Sequence, residues 1–85
     1  MEEYVVYILA SEKTDQLYKG FTSNLIGRIK SHNELSKKGW TLRYRPWRVV
    51  YVEFYSIKKE AIARERFLKT GAGRDWIRDH IDLVK

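Results

Sequence analysis

Residues 16–33, QLYKGFTSNLIGRIKSHN, contain two structural patterns in succession. Leu17–Phe21 has the aromatic and apolar composition of a β-strand. Ser23 or Asn24 can then cap a helix, because each carries a short side chain with an oxygen that accepts from exposed N–H groups. The helical pattern continues to about Glu34. This stretch therefore predicts a strand that passes directly into a helix.

The predicted helix carries polar groups beside its apolar stripe. At 100° per residue, Leu25 and Ile29 define the stripe, and Arg28 and His32 lie one turn apart on its flank. Each alone is explained by packing, since arginine can bury its stem and histidine is common at such boundaries. Together they indicate a fixed cation and a titratable ring where the helix meets a sheet.

Two more strands are predicted. Tyr4–Leu9 is a continuous apolar run rich in β-branched and aromatic residues, typical of a strand covered on both faces. A polar turn, Ser11–Asp15, separates it from the strand Leu17–Phe21, so the two are expected to form a hairpin. Arg48–Tyr55, RVVYVEFY, is the third strand.

The second half of the chain favours helices. Ser56 can cap a helix over Ile57–Thr70 that Gly71 ends, and a short amphipathic helix follows over Gly73–Leu83. The order β-β-α-β-α-α predicts an α/β (α+β) domain over residues 1–85. Its sheet should be three-stranded, mainly antiparallel and flanked by helices.

Composition narrows the classes of function. The 85 residues suffice for one modest core, and the absence of cysteine excludes disulfides and thiolate metal sites. No apolar run is long enough for a membrane span, which predicts a cytoplasmic protein. Seventeen Lys and Arg against eleven Asp and Glu give a net charge of +6, which favours nucleic acid as partner. Surplus lysine that only aids solubility is the alternative.

One carboxylate is placed unusually. On the helix over residues 57–70, Glu65 falls angularly between the apolar positions Ala61 and Leu68, whereas Glu60 lies farther round. An inward carboxylate is costly unless it is paired or holds a metal. A salt bridge, for instance to Arg28, and a metal site both remain possible explanations.

These motifs together resemble the GIY-YIG nuclease family, in particular its small stand-alone URI or UPF0213 type. VVY at Val5–Tyr7 and YKG at Tyr18–Gly20 stand where the family has its two triplets. FTSNLIGRIKSHN and EAIARERFLK match the helix motif and the segment with the family's metal-binding glutamate. Val5-Val6 replaces the family's Gly-Ile and Lys19 replaces its isoleucine in the second triplet, but both motif tyrosines are kept.

The resemblance implies a metal-dependent endonuclease that hydrolyses nucleic acid, DNA rather than RNA, in repair or recombination. It assigns Glu65 to a divalent cation, with Mg²⁺ favoured and Mn²⁺ able to substitute. Arg28 would hold the scissile phosphate, and Tyr7 would act as general base if nearby cations favour its phenolate. Tyr18 and His32 would position water or phosphate, or relay a proton.

A basic loop is the second candidate surface. Ser36–Arg48, SKKGWTLRYRPWR, interleaves cations with aromatic rings. Cations can contact phosphates while rings stack on unpaired bases. The predicted nucleic-acid contacts are Lys37, Lys38, Trp40, Arg43 and Arg45. Trp47, after Pro46, is expected to anchor the loop to the core instead.

Two rival classes stay open. One is a non-catalytic nucleic-acid-binding module that retains the GIY-YIG fold, and the other is a protein-interaction domain whose basic surface is incidental. The presence of both motif tyrosines, Arg28 and Glu65 favours the enzyme, because a pure binder would not need the inward carboxylate. The sequence leaves the oligomeric state open.

Overall fold

The computed structural model of the protein describes residues 3–35 and 43–82. In that part of the chain the elements follow the predicted order. The strands are β1 (Tyr4–Ser11), β2 (Leu17–Thr22) and β3 (Trp47–Tyr55). The helices are α1 (Leu25–Lys30), a π-helical segment (Ser31–Leu35), α2 (Lys58–Leu68) and α3 (Gly71–His80).

The sheet has strand order β2-β1-β3, and both pairings are antiparallel. The central strand β1 is buried on both faces, as its continuous apolar run predicted. Val6 and Ile8 face one core with α2 and α3, whereas Tyr7 and Leu9 face the other with α1. The predicted three-stranded α+β fold is confirmed, with the sheet between two helical layers.

Local polar contacts fix the connections around the first hairpin. The Ser11 hydroxyl accepts from the N–H groups of Lys13 and Thr14 and donates to the carbonyl of Tyr44. This single buried side chain ties the β1–β2 turn to the segment before β3. Buried hydroxyls of this kind are costly unless bonded, so the contacts also fix the end of the central strand.

The start of α1 resolves the choice between two predicted caps. Asn24 is the N-cap, and its Oδ1 accepts from the Gly27 N–H at 3.1 Å. Thr22 supports this cap, because its hydroxyl accepts from the Asn24 N–H at 3.0 Å. The helix was predicted to continue to about Glu34, but its winding becomes π-helical from Ser31.

The predicted bounds of both C-terminal helices are wrong: α2 spans Lys58–Leu68 rather than 57–70, and α3 spans Gly71–His80 rather than 73–83. The N-cap of α2 is Ile57, which makes no side-chain cap bond, rather than Ser56. Gly71 does not end α2, which stops at Leu68; it begins α3 instead. The physical reason is Thr70, whose hydroxyl accepts from the N–H of Gly73 at 3.1 Å and so caps a new helix immediately.

The two C-terminal helices approach each other closely. A β-carbon at Gly73 would lie 2.0 Å from the carbonyl oxygen of Phe67, so only glycine fits there. Ile77 and Ile81 are 2% and 8% exposed, as expected for the apolar face of an amphipathic helix. Among the described residues, no helix combines the length and apolar character that a bilayer span requires.

Candidate active site

Tyr7 lies at the centre of the sheet face that α1 covers. Its side chain is 0% exposed, and its hydroxyl oxygen lies 3.2 Å from Nε2 of His32. Gly20 lies opposite Tyr7 on β2. Gly20, the glycine of the second triplet, therefore leaves space for the ring of Tyr7, the tyrosine of the first triplet.

Aromatic rings enclose this pair. The Tyr18 ring centroid lies 6.1 Å from that of Tyr7 and 4.5 Å from that of His32. Trp47 contacts Tyr18 from the side, with centroids 6.3 Å apart, and is itself 3% exposed. Burial of Trp47 confirms that it anchors the loop before β3. The motif tyrosines and the histidine thus form one packed cluster, named here the tyrosine–histidine cluster (Tyr7, Tyr18 and His32).

The π-helical segment holds His32 in place through its backbone. Arg45 donates from Nε to the His32 carbonyl oxygen at 2.7 Å. The next residue, Asn33, makes two bonds to the backbone of Trp47, donating to its carbonyl at 3.0 Å and accepting from its N–H at 2.6 Å. Because these bonds link the helix to the start of β3, the imidazole is fixed at the sheet surface and is 7% exposed.

Arg28 reaches the cluster from its solvent side. It is an exposed residue, and its charge acts on both Tyr7 and His32, lowering the pKa of each. Arg28 was predicted to lie at the inward edge of the helix. Its electrostatic effect on the cluster agrees with that position, and its exposure leaves the side chain open to a ligand.

The protonation states of Tyr7 and His32 follow from burial. Burial raises the pKa of Tyr7 to about 12, with a further rise from Tyr18, and outweighs the lowering that Arg28 causes. The nearby cation therefore favours the phenolate, as expected, but burial keeps Tyr7 a phenol at neutral pH. Burial also lowers the pKa of His32, with further lowering from the charges of Arg28 and Arg45. At neutral pH, a neutral imidazole thus lies beside a protonated phenol.

Glu65 lies in the other helical layer. Its side chain is 16% exposed, which agrees with the predicted inward direction, whereas Glu60 on the same helix is exposed. Across residues 3–35 and 43–82, its ion-pair partner is Lys69 at 3.4 Å and not Arg28. The Glu–Lys spacing of four residues favours this pair. The structure does not join Glu65 to the tyrosine–histidine cluster by a contact, because α2 packs on the opposite face of the sheet.

Glu65 is the candidate ligand for a divalent cation. No group of three or more histidine, aspartate or glutamate side chains that could hold a metal occurs in the described part of the chain. Mg²⁺ can, however, use one or two carboxylates and fill its remaining positions with water and phosphate oxygens. A single shielded carboxylate at Glu65 fits that pattern of binding, provided that the ion replaces Lys69 as its partner.

The predicted loop contacts divide into two groups. Lys37, Lys38 and Trp40 lie outside the described residues. Arg43 is exposed, while Arg45 is half-buried against the backbone of His32. Arg45 therefore contributes to the position of a site residue, which the loop composition did not indicate.

Comparison with known proteins agrees with the motifs. The GIY-YIG catalytic domain matches residues 3–75. A UPF0213 protein from Clostridium perfringens (strain 13 / Type A) is 44% identical over 64 residues, covering 75% of this chain and 68% of that protein. Another UPF0213 protein, from Staphylococcus haemolyticus (strain JCSC1435), is 40% identical over 70 residues, which cover 82% of this chain and 84% of that protein.

A solved structure shows the same fold. The solution NMR structure of a UPF0213 protein from Bacillus halodurans matches with a TM-score of 0.56 and 25% identity. The match covers 91% of this chain and 83% of that chain. Enzymes with this domain are nucleases that act on nucleic acid and generally use divalent cations. Since the domain match spans most of its length, the chain belongs to the GIY-YIG nuclease family.

Proposed function

We propose that this protein is an endonuclease that hydrolyses phosphodiester bonds of nucleic acid, DNA rather than RNA, with a divalent cation. The observation that carries the proposal is the buried contact between the Tyr7 hydroxyl and Nε2 of His32, 3.2 Å apart. The charge of Arg28 acts on both groups. A phenol, an imidazole and an exposed cation are the groups that proton transfer and phosphate binding would require.

Proton transfer is assigned to Tyr7 and His32. Hydrolysis requires that the attacking water lose a proton while a P–O ester bond breaks and the leaving oxygen gains a proton. With its pKa raised to about 12, Tyr7 is a phenol at neutral pH and cannot act alone as a base. His32, whose pKa is lowered, can accept the phenolic proton as the Tyr7 oxygen takes one from water.

Phosphate binding is assigned to Arg28. Arg28 is an exposed residue, so several N–H donors of its guanidinium can reach a phosphate. A planar guanidinium binds phosphate through paired charge-assisted hydrogen bonds, which orient the phosphorus as well as attract it. The same residue would therefore place the scissile phosphate beside the Tyr7 oxygen.

A divalent cation would be held by Glu65. When bound, such an ion neutralises charge on the phosphoryl and leaving oxygens. Lys69 now balances the Glu65 carboxylate, so binding of the ion requires that this ammonium move aside. The choice between Mg²⁺ and Mn²⁺ and a role in repair or recombination stay predictions, as does a location in the cytoplasm.

The two helical layers can act on one substrate at an edge of the sheet. β2 is an edge strand, with α1 over one of its faces and α2 over the other. A nucleic-acid strand that lies along β2 would meet Arg28 from one layer and Glu65 from the other. The substrate would therefore lie along the outer edge of β2 rather than within a closed cavity.

A cleavage panel tests the proposal. Single-stranded, double-stranded and branched DNA and RNA of matched sequence are incubated with Mg²⁺, with Mn²⁺ and with a chelator. Cleavage should need the ion and should be lost in Tyr7→Phe, which keeps the ring but removes the hydroxyl. Melting temperature serves as the folding control for this variant.

The other outcomes identify the rival classes. Salt-dependent binding without cleavage of any substrate would indicate the non-catalytic nucleic-acid-binding module. Absence of both binding and cleavage would indicate a protein-interaction domain. Wild-type cleavage by Tyr7→Phe would remove Tyr7 from the mechanism.

A further inference from the structure

A second polar feature lies on the sheet face opposite the tyrosine–histidine cluster. A cleft of about 340 Å³ opens between β2 and α3. Lys19 comes from the strand, and Arg74 and Arg78 come from the helix. Leu17 and Ile77 supply its apolar floor. The mechanism proposed above uses none of these side chains.

Lys19 is directed to this face by strand alternation. It pairs in register with Ile8, which belongs to the core under α2 and α3, whereas its neighbours Tyr18 and Gly20 face the other core. Lys19 is also the residue that departs from the apolar position of the second family triplet. A half-buried ammonium has therefore taken a place beside the core where an apolar side chain would pack without cost.

Like charges are gathered around this ammonium. Burial lowers the pKa of Lys19, and the charges of Arg74 and then Lys69 lower it further. In the described residues, the ion pairs include Lys69 with Glu65 and Arg78 with Asp75 and Asp79, and none is formed by Lys19 or Arg74. Asp15 is the acidic residue that lines the cleft, and it has interactions of its own.

We propose that Lys19 and Arg74 bind a backbone phosphate of nucleic acid in this cleft. An anion that binds between neighbouring cations lowers their electrostatic free energy, because it offsets their mutual repulsion. A phosphodiester suits the site because an ammonium supplies a point charge and a guanidinium supplies a planar pair of donors.

The site is positioned to extend the proposed active site, and this step rests on the proposed function. Lys69 links the two electrostatically, since its charge acts on Lys19 while its ammonium pairs with the Glu65 carboxylate at 3.4 Å. A strand that lies along the edge of β2 would thus place one phosphate near Glu65 and a neighbouring phosphate in the cleft. The cleft would set the direction of the substrate along the sheet edge.

Binding measured without divalent cations tests the cleft separately from catalysis. Fluorescence anisotropy with a short labelled DNA duplex, in chelator, gives affinity as a function of salt. Lys19→Gln/Arg74→Gln should reduce the slope of log affinity against log salt by roughly 0.9 for each lost contact. Lys58→Gln/Lys59→Gln removes the same charge from the exposed first turn of α2 and should change the slope less.

Three results would overturn the inference. One is an unchanged slope in Lys19→Gln/Arg74→Gln, and another is an equal loss in Lys58→Gln/Lys59→Gln, which would make the effect one of net charge. The third comes from NMR titrations of the amides of residues 17–19 and 71–74. If inorganic phosphate saturates them as readily as DNA at equal phosphate concentration, the cleft binds free phosphate instead.

The two proposals can fail separately. If the cleft variant loses binding while the wild-type protein cleaves no substrate, the cleft is supported and the endonuclease proposal is wrong. If the protein cleaves DNA and the cleft variant binds with the wild-type slope, the endonuclease proposal stands and the cleft is not part of the substrate path.

Discussion

A β-carbon at Gly20 would lie 2.7 Å from the Tyr7 hydroxyl oxygen and 2.8 Å from its Cζ. The two residues face each other across β1 and β2, so this glycine provides the space that the buried phenol occupies. The requirement is steric rather than conformational, because Gly20 has no left-handed backbone angle. The glycine of one motif and the tyrosine of the other therefore form one structural unit.

Gly20→Ala should destabilise the protein and displace Tyr7. Both ring and strand are fixed by packing, so we expect a loss of about 1–3 kcal/mol, as for other overpacked cores. Chemical denaturation measures the stability, and near-ultraviolet circular dichroism reports the tyrosine environment. Gly71→Ala is the matched control, because its β-carbon would meet only Arg74 Nη2, at 4.0 Å. Equal stability of the two variants would contradict the steric account.

His32 should make stability depend on pH. Because the pKa of the folded imidazole lies below the ordinary 6.5, the unfolded chain binds a proton more readily as acid is added. This stability is fully present above pH 6.5 and is lost as pH falls through the lowered pKa. Denaturation midpoints should therefore decline from about pH 7 to about pH 5. His32→Gln should flatten that decline, and an unchanged slope would assign it to other groups.

Much of the fold follows from sequence because its signals are local and strong. The apolar run of β1 predicted burial on both faces, and the hairpin spacing predicted antiparallel pairing. The helix boundaries were harder to predict from sequence, since two neighbouring residues can each give the signal for a helix end. Thr70 and Gly71 can each mark a helix end, and the hydroxyl contact to Gly73 decides that a helix begins there.

Arg28→Lys should slow cleavage about ten- to hundredfold. An ammonium keeps the charge but loses the planar pair of donors, and a hydrogen bond to a charged group contributes about 1.5–3 kcal/mol. The variant should also lose part of the interaction that lowers the pKa of Tyr7. Single-turnover cleavage at saturating enzyme separates this effect from binding. Wild-type turnover would reduce Arg28 to a structural residue.

Glu65→Gln should abolish metal-dependent cleavage, with a loss of at least about a hundredfold, while DNA affinity in chelator changes little. The stability change should stay within about 1 kcal/mol, because the partner Lys69 is 54% exposed and such pairs are weak. Glu60→Gln on the exposed side of α2 is the control. Equal activity of both variants would exclude Glu65 as the ligand.

The individual residues of the candidate site could be predicted from sequence, but their contacts and protonation states could not. Motif spacing identified Tyr7, Tyr18 and His32, and the structure places them in contact. Their pKa values depend on burial, which no local pattern reports. The support that Arg45 gives to His32 joins residues that are thirteen positions apart, so it too required the folded chain.

Arg43 and Arg45 should respond differently to the same substitution. Arg43 is exposed, so Arg43→Gln should lower the salt dependence of duplex binding by roughly 0.9 in log–log slope without affecting stability. Arg45→Gln should also lose the 2.7 Å bond to the His32 carbonyl, at a cost of about 0.5–1.5 kcal/mol in unfolding free energy. Because that bond fixes the π-helical segment, cleavage at saturating enzyme should fall in Arg45→Gln and not in Arg43→Gln. Anisotropy, denaturation and single-turnover cleavage distinguish the two. If both variants change only the salt slope, Arg45 acts as a phosphate contact, and its bond to His32 does not position the imidazole.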